Sequence, residues 1–265
     1  MKEVIVIKLG GSVLNEVKYR RLLAQDIRCI TARGYCPIIV HGGGKAITNQ
    51  LDKMKMPHDF VGGYRRTSEQ AMNEIEMVLS GRVNKDLVSA FSDQGIESIG
   101  VCGKTLNLFE VVKKLHRGVD LGCVGEIKTV RKKVLEILLE NKITPVVAPL
   151  GQGGQITYNI NADDVAQSIA VAVNAKKLIY VSDIEGVYRD FANKSSIIKN
   201  IDDKSLKSLI DRGEFDGGML PKLINCLKAI DQSVETCHII SGCGDKNISQ
   251  LLIEGDHVGT SITKG

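Results

Sequence analysis

Short, almost wholly apolar runs recur at residues 4–7, 37–40, 99–102, 145–148, 178–181 and 238–240. Runs of this length with no polar alternation suit strands buried on both faces. The longer segments between them space their apolar residues helically, as in Leu22/Leu23, Ile27 and Ile30, or Ile75, Val78/Leu79, Val83 and Leu87. Alternating strands and helices predict an α/β protein whose mainly parallel sheet is covered on both sides. Two stretches, 106–126 and 151–159, break the alternation with valines and glycines and are expected to be β-hairpins. Nothing resembling a linker divides the chain, so any second lobe must continue the same sheet. The expected seam lies near residue 175, where an Ala-rich helix over 164–173 gives way at Asn174 to the strand that starts at Leu178. That places one lobe in residues 1–175 and the other in 176–265.

Two glycine-rich turns follow the first two strands, Lys8-Leu9-Gly10-Gly11-Ser12 and His41-Gly42-Gly43-Gly44-Lys45. Glycines let backbone N–H groups approach an anion, and a helix beginning at the second turn adds unsatisfied donors and a partial positive charge. Lys8 stands at the carboxyl end of its strand, where ligands bind in open α/β sheets. Neither G-x-x-x-x-G-K-[ST] nor a complete G-x-G-x-x-G after a strand occurs, so the phosphate bed belongs to some other scaffold.

Three further segments carry chemistry. Asn159-Ile160-Asn161-Ala162-Asp163-Asp164 offers more amides and carboxylates than one helix cap requires, which marks Asp163 as functional and leaves Asp164 as a first-turn acid. Asp216-Gly217-Gly218-Met219-Leu220-Pro221-Lys222 puts a lysine beside the positive end of a helix, an unfavourable place unless an anion is near; a solvated surface lysine is the alternative. Arg65 or Arg66 could fork a carboxylate, but neighbours on a strand face opposite ways, so at most one points into a site. His41 is expected to be a structural hydrogen-bonding residue beside its loop. No G-x-S-x-G elbow accompanies Ser12.

Composition narrows the partners. The net charge of +4 comes from lysines scattered among acids, which gives nucleic acid binding little electrostatic support. No apolar run approaches the roughly 20 residues of a membrane helix. Seven cysteines without a C-x-x-C pair, and a start that runs directly into the first strand, suit free thiols in a reducing cytoplasm.

Taken in order, Lys8-Leu9-Gly10-Gly11, His41 to Gly44, Gly63-Tyr64-Arg65-Arg66-Thr67, Asn159 to Asp163 and Gly217 to Lys222 resemble the amino acid kinase family over nearly the whole chain. Val83-Asn84-Lys85 and Val124-Gly125-Glu126 add further family-like words. The resemblance implies an open αβα sandwich, with an N-terminal lobe for an acyl amino acid and dimerisation and a C-terminal lobe for ATP. Within the family the wording is that of members acting on N-acetyl-L-glutamate, which implies ATP-dependent phosphorylation of its γ-carboxylate in arginine biosynthesis. Lys8 and Lys222 would then flank the transferring phosphoryl group, Asp163 would hold both lysines, and Gly11 and Gly44 would donate N–H groups to it. Arg65 and Asn159 would take the substrate's α-carboxylate, with Gly43 and Gly44 beside it. Gly10, Gly11, Ser182 and Asp183 would lie on the nucleotide side, and Mg²⁺ would be held by ATP phosphates and water, with no metal site of protein ligands. Because the first strand begins at Val4, the extra N-terminal helix of arginine-inhibited relatives would be missing, so a homodimer with little arginine feedback is expected. A kinase of the same fold acting on a carrier-linked aminoadipate or glutamate, and a catalytically silent sensor, are the competing expectations.

Overall fold

A computed structural model describes residues 3–11, 14, 16–190, 192–215, 217–242 and 247–265; Ser12, Asp216 and Cys243 lie outside the described residues. In chain order the elements are β1 (Glu3–Leu9), α1 (Val17–Ala32), β2 (Tyr35–His41), α2 (Gly44–Lys53), β3 (Phe60–Val61) and β4 (Tyr64–Arg65). Next come α3 (Glu69–Glu76), a π-helical stretch Met77–Val83, α4 (Asn84–Ser92), β5 (Ser98–Cys102), β6 (Phe109–His116), β7 (Val119–Val130) and α5 (Lys133–Glu140). Then follow β8 (Thr144–Ala148), β9 (Leu150–Gly153), β10 (Ile156–Ile160), α6 (Ala162–Ala172), β11 (Lys177–Ser182), β12 (Asn200–Asp202), α7 (Asp203–Asp211), α8 (Met219–Gln232), β13 (Thr236–Ser241), a short helical segment of Asn247–Ser249 and Gln250–Glu254, and β14 (Thr260–Thr263).

The six apolar runs form the core of one eight-stranded sheet, ordered β12-β14-β13-β11-β1-β2-β8-β5. Pairing is parallel from β13 through β5, and β14 runs antiparallel to β13. Successive side chains alternate between faces. Ile5, Ile7 and Leu9 of β1 therefore join the cluster with Ile27 and Ile30 of α1, whereas Val6 joins Val165 and Ile169 of α6 and Leu223 of α8. Lys8 has the parity of Val6. The central strand thus delivers its one charged side chain near the carboxyl end toward α6 and α8, the helices that follow the two other sequence segments carrying chemistry.

The two irregular stretches are hairpins, as expected, but β7 runs on to Val130. They also close on each other, forming a small barrel in the order β10-β7-β6-β9. Its long-range pairings, Asn159 beside Val124 and Ile160 beside Gly125, leave no local periodicity to read. The barrel holds Asn159 above the carboxyl ends of the sheet. β3 and β4 make a separate hairpin whose two-residue turn is Gly62-Gly63, with φ of 59° and 85°. Positive φ at both central residues matches the right-handed strand twist and is easily met by glycine.

Candidate active site

Asp163 is the anchor of the site. Asn161 caps α6 by accepting the Asp163 N–H at 2.8 Å, which turns the Asp163 side chain inward at the first turn. Lys8 Nζ lies 2.7 Å from its Oδ1, and Lys222 Nζ donates to its Oδ2 at 2.9 Å. Burial alone would raise the Asp163 carboxyl; Lys8 and then Lys222 outweigh that effect and hold it below the usual carboxylate range. The buried carboxylate therefore stays ionised and spaces two ammonium groups on either side of itself. Tyr180, beside Lys8 in the sheet, donates its hydroxyl to the Asp163 carbonyl at 3.3 Å. Lys222 sits in the first turn of α8, where a cation is disfavoured, and Asp163 is the counter-charge that keeps it there.

The second glycine turn is held by a neutral imidazole. His41 is fully buried; its Nδ1 meets the Gly42 carbonyl at 2.8 Å and its Nε2 meets the Asn84 side-chain amide at 3.1 Å. An Nδ1–H donor and an Nε2 acceptor satisfy both contacts. Burial, countered in part by the Gly42 carbonyl, lowers the His41 pKa to about 4. Asn84 also donates to the Val146 carbonyl at 2.9 Å, tying the turn to the end of the π-helical stretch and to β8. Gly42 donates to the Leu9 carbonyl at 3.2 Å, and Gly44 begins the ten residues of α2.

Arg65, 6% exposed, reaches back to this turn. One guanidinium nitrogen, Nη2, donates to the Gly44 carbonyl at 3.1 Å and to Thr48 Oγ1 at 2.7 Å, and the group lies 4.5 Å from the Phe60 ring centroid. Its Nη1 is buried and has no protein partner. An unpartnered buried donor on a cation is costly unless a ligand completes it. Arg66 points outward and pairs with Asp59 at 3.5 Å. Of the two adjacent arginines, one faces inward, as strand geometry requires.

These parts enclose a cleft of about 210 Å³. Its polar wall holds Lys8, Gly43, Gly44, Arg65, Asn159 and Asp163, and Ile47, Leu79, Val124 and Ile160 supply apolar surface. Gly10, Gly11, Ser182, Asp183 and Lys222 lie outside this lining, at the carboxyl ends of the neighbouring strands β1 and β11 and the start of α8. The predicted site residues thus fall into two patches that share Asp163 and its lysines. Gly10, expected on the nucleotide side, gives its N–H to the Val181 carbonyl at 2.8 Å. What glycine provides there is close approach, because a Cβ would lie 2.8 Å from that same oxygen. Larger hollows, about 500 Å³ between α1 and α4, about 560 Å³ at the amino ends of β2 and β8 and about 620 Å³ beside β12 and α7, are also lined in part by charged side chains but contain none of the residues of the glycine turns or of the Asn159 to Asp163 and Gly217 to Lys222 segments.

Among the described residues no three His, Cys, Asp or Glu side chains converge to hold a metal ion. Both Asp163 oxygens face lysines. Sequence reasoning missed the supporting residues Thr48 and Tyr180. Thr48 and Tyr180 are polar side chains on otherwise apolar faces, a faint signal that two elements meet there. Asp164 is a first-turn acid, as expected, and it also accepts from Lys114 at 3.0 Å and from Asn225 at 2.9 Å, contacts that sequence reasoning did not find.

Comparison with known proteins fits this arrangement. The acetylglutamate kinase of Thermoanaerobacter sp. (strain X514) is 39% identical over 262 residues, covering 98% of this chain and 87% of the relative. That of Methanococcus aeolicus is 36% identical over 269 residues, covering 98% and 92%. Among solved structures, the N-acetylglutamate synthase of Neisseria gonorrhoeae, complexed with coenzyme A and N-acetyl-glutamate, aligns with a TM-score of 0.88. At 21% identity, covering 100% of this chain and 60% of that one, it speaks for the fold alone. The family model described as the amino acid kinase family matches residues 3–241, and the chain belongs to that family.

Proposed function

We propose that the two patches are the acceptor and donor sides of one phosphoryl transfer. The chain is a phosphotransferase that makes the acyl phosphate of N-acetyl-L-glutamate from ATP, as its relatives named acetylglutamate kinase do. The observation that carries this reading is Asp163 between Lys8 and Lys222 at 2.7 and 2.9 Å.

A free γ-carboxyl has a pKa near 4.3, so the acceptor arrives as an ionised nucleophile and needs no general base. The barrier comes from bringing a carboxylate up to a charged phosphate. Lys8 and Lys222 neutralise the equatorial charge that crowds together in the transition state, and Asp163 keeps them preorganised at opposite sides. Arg65 gives its unpartnered Nη1 to the acceptor's α-carboxylate, Asn159 adds an amide, and the Gly44 and Gly11 N–H groups receive phosphoryl oxygens. Ser182 and Asp183 belong to the nucleotide side. Mg²⁺, held by nucleotide phosphates and water, supplies further charge neutralisation.

The seam between the acceptor lobe, residues 1–175, and the nucleotide lobe, 176–265, falls where α6 ends and β11 begins. A homodimer is supported by β5, the edge strand of the sheet, which exposes Ile99 and packs against the π-helical stretch that exposes Met77. Sedimentation at the monomer mass would sink that part of the proposal. A biosynthetic place in arginine formation and a cytoplasmic location are supported by the relatives and by the lack of a disulfide among the described cysteines. No helix among them is long and apolar enough to cross a membrane.

The test is ATP-dependent trapping of the product by hydroxylamine, with N-acetyl-L-glutamate, L-glutamate, N-acetyl-L-aspartate and L-aminoadipate in parallel. Hydroxamate from acetylglutamate above the others is the expected outcome. Binding of ATP with no free amino acid phosphorylated would overturn the acceptor assignment.

A further inference from the structure

Beside the catalytic trio lies a second polar cluster that the proposed reaction does not use. Asp164 follows Asp163 on α6 but turns to the other side of the helix start. Its Oδ2 accepts from Lys114 Nζ of β6 at 3.0 Å and lies 3.5 Å from the Tyr64 hydroxyl of β4, while its Oδ1 accepts from Asn225 Nδ2 of α8 at 2.9 Å. Lys114 Nζ sits 4.2 Å from the centroid of the Tyr64 ring, within cation–π range, and the His116 ring centroid lies 5.7 Å from that of Tyr64. Asn225 is 4% exposed, and the Asp164 and Lys114 side chains are 22% and 17% exposed. One carboxylate therefore joins four elements: the β3–β4 hairpin, the β6–β7 hairpin, α6 and α8.

The neighbours of these four side chains give the cluster its meaning. Tyr64 directly precedes Arg65, whose guanidinium faces the cleft, and Asn225 lies three residues after Lys222 on the same helix face. We propose that Asp164 is a positioning residue with two separable arms. The arm through Lys114 and Tyr64 sets where Arg65 stands. The arm through Asn225 sets where α8, and with it Lys222, stands against Asp163. This inference rests on the kinase reading and deepens it, because it assigns acceptor binding and phosphoryl transfer to different bonds of one carboxylate.

The two arms give different kinetic signatures. Arg65 holds the acceptor equally in the ground and transition states, so loosening it raises KM and leaves kcat alone. Lys222 acts on charge that develops during transfer, so loosening it lowers kcat. Asp164→Asn keeps an oxygen for Asn225 but loses the ion pair with Lys114. Its expected effect is a rise of about tenfold in acceptor KM with kcat within about twofold, a coupling of the size usual for a contacting charge pair. Lys114→Met should reproduce that effect, and the double variant should add little to either single one. Asn225→Leu should instead lower kcat by about tenfold with acceptor KM little changed. Asp164→Glu should recover part of the Asp164→Asn loss.

All variants go into the hydroxylamine assay beside the wild-type chain, with thermal unfolding followed in parallel. Wild-type activity with acceptor KM unmoved in both Asp164→Asn and Lys114→Met would overturn the proposal, whatever happens to Tm, and leave the cluster as a structural strut. Additive losses in the double variant would overturn it too. No hydroxamate from the wild-type chain would mean that the kinase reading itself has failed, and this inference falls with it.

Discussion

The turns after β1 and β2 look alike in sequence and do different work. Gly10 spends its N–H on the Val181 carbonyl, and a Cβ there would meet that oxygen at 2.8 Å, so this glycine lets β1 and β11 run together to the edge of the sheet. Gly44 has open space where a Cβ would go, begins α2, and lines the cleft. The first turn aims Lys8; the second presents backbone. A string of glycines thus reports that the chain must approach something closely, and only the fold says whether that something is a neighbouring strand or a ligand.

The largest test of this division acts on what the first turn aims. Asp163→Asn removes the one charge that holds Lys8 and Lys222 apart and in place, and kcat should fall by about a thousandfold, comparable to losing a preorganised transition-state donor. Lys8→Ala and Lys222→Ala should each lose as much, and the double variant little more, because the pair acts as a unit. A loss under tenfold in Asp163→Asn would mean that the lysines are positioned by something else.

The second turn is probed by acid. His41 and His238 are both held neutral by burial, with pKa values lowered from 6.5 to about 4. Between those values the unfolded chain binds more protons than the folded one, so stability is whole above pH 6.5 and declines as pH falls toward 4. Each histidine should contribute on the order of 3 kcal/mol to that decline. His238 lies between Thr236 and Ser261, away from the cleft, so His238→Gln should remove about half of the slope in chemical denaturation across this window. An unchanged slope would show that His238 titrates normally in the fold.

How much of this was legible in the chain follows from how local each signal is. Five of the eight sheet strands were readable because burial on both faces leaves an uninterrupted apolar run, and the edge strand β5 kept such a run although it exposes Ile99. Asp163 stood out because its segment holds more amides and carboxylates than one cap requires, and Lys222 because a cation is disfavoured in the first turn of a helix. Strand parity says that Arg65 and Arg66 diverge but not which one faces inward, and it was the family resemblance that singled out Arg65. The small barrel was not legible, because β10 finds β7 across more than thirty residues and each hairpin alone looks complete. Asp164 is the first-turn acid that the sequence predicts, but its partners were illegible for the same reason: such an acid satisfies the helix dipole whether or not Lys114 and Asn225 come to meet it. The π-helical stretch, which packs Leu79 and Val83 beneath Gly43, left no periodicity distinct from an ordinary helix.

Gly10→Ala should fail through the fold. The obstacle at 2.8 Å is backbone, which cannot swing aside, so the strands must part or the turn must shift. A cost of about 1–3 kcal/mol is expected, read as a lower Tm together with lower activity. Gly43→Ala is a useful intermediate, because its Cβ would meet the end of the Leu79 side chain at 2.4 Å, and that side chain can move.

Gly44→Ala should produce the smallest change in stability and of the opposite sign. Gly44 is the first residue of α2 and a Cβ has nothing within 4 Å, so alanine restricts the unfolded chain without crowding the folded one, a gain of about 0.5 kcal/mol. The added methyl stands at the wall of a cleft of only about 210 Å³, next to the carbonyl that Arg65 grips at 3.1 Å, so whatever loss occurs belongs to binding. The expected pattern is Tm at or slightly above wild type with acceptor KM raised severalfold. Thermal unfolding and hydroxamate kinetics on Gly10→Ala and Gly44→Ala together decide whether the two turns divide as the geometry says. If Gly44→Ala unfolds early while Gly10→Ala keeps its Tm and loses only substrate affinity, the roles are reversed, and the first turn is the one that meets the ligand.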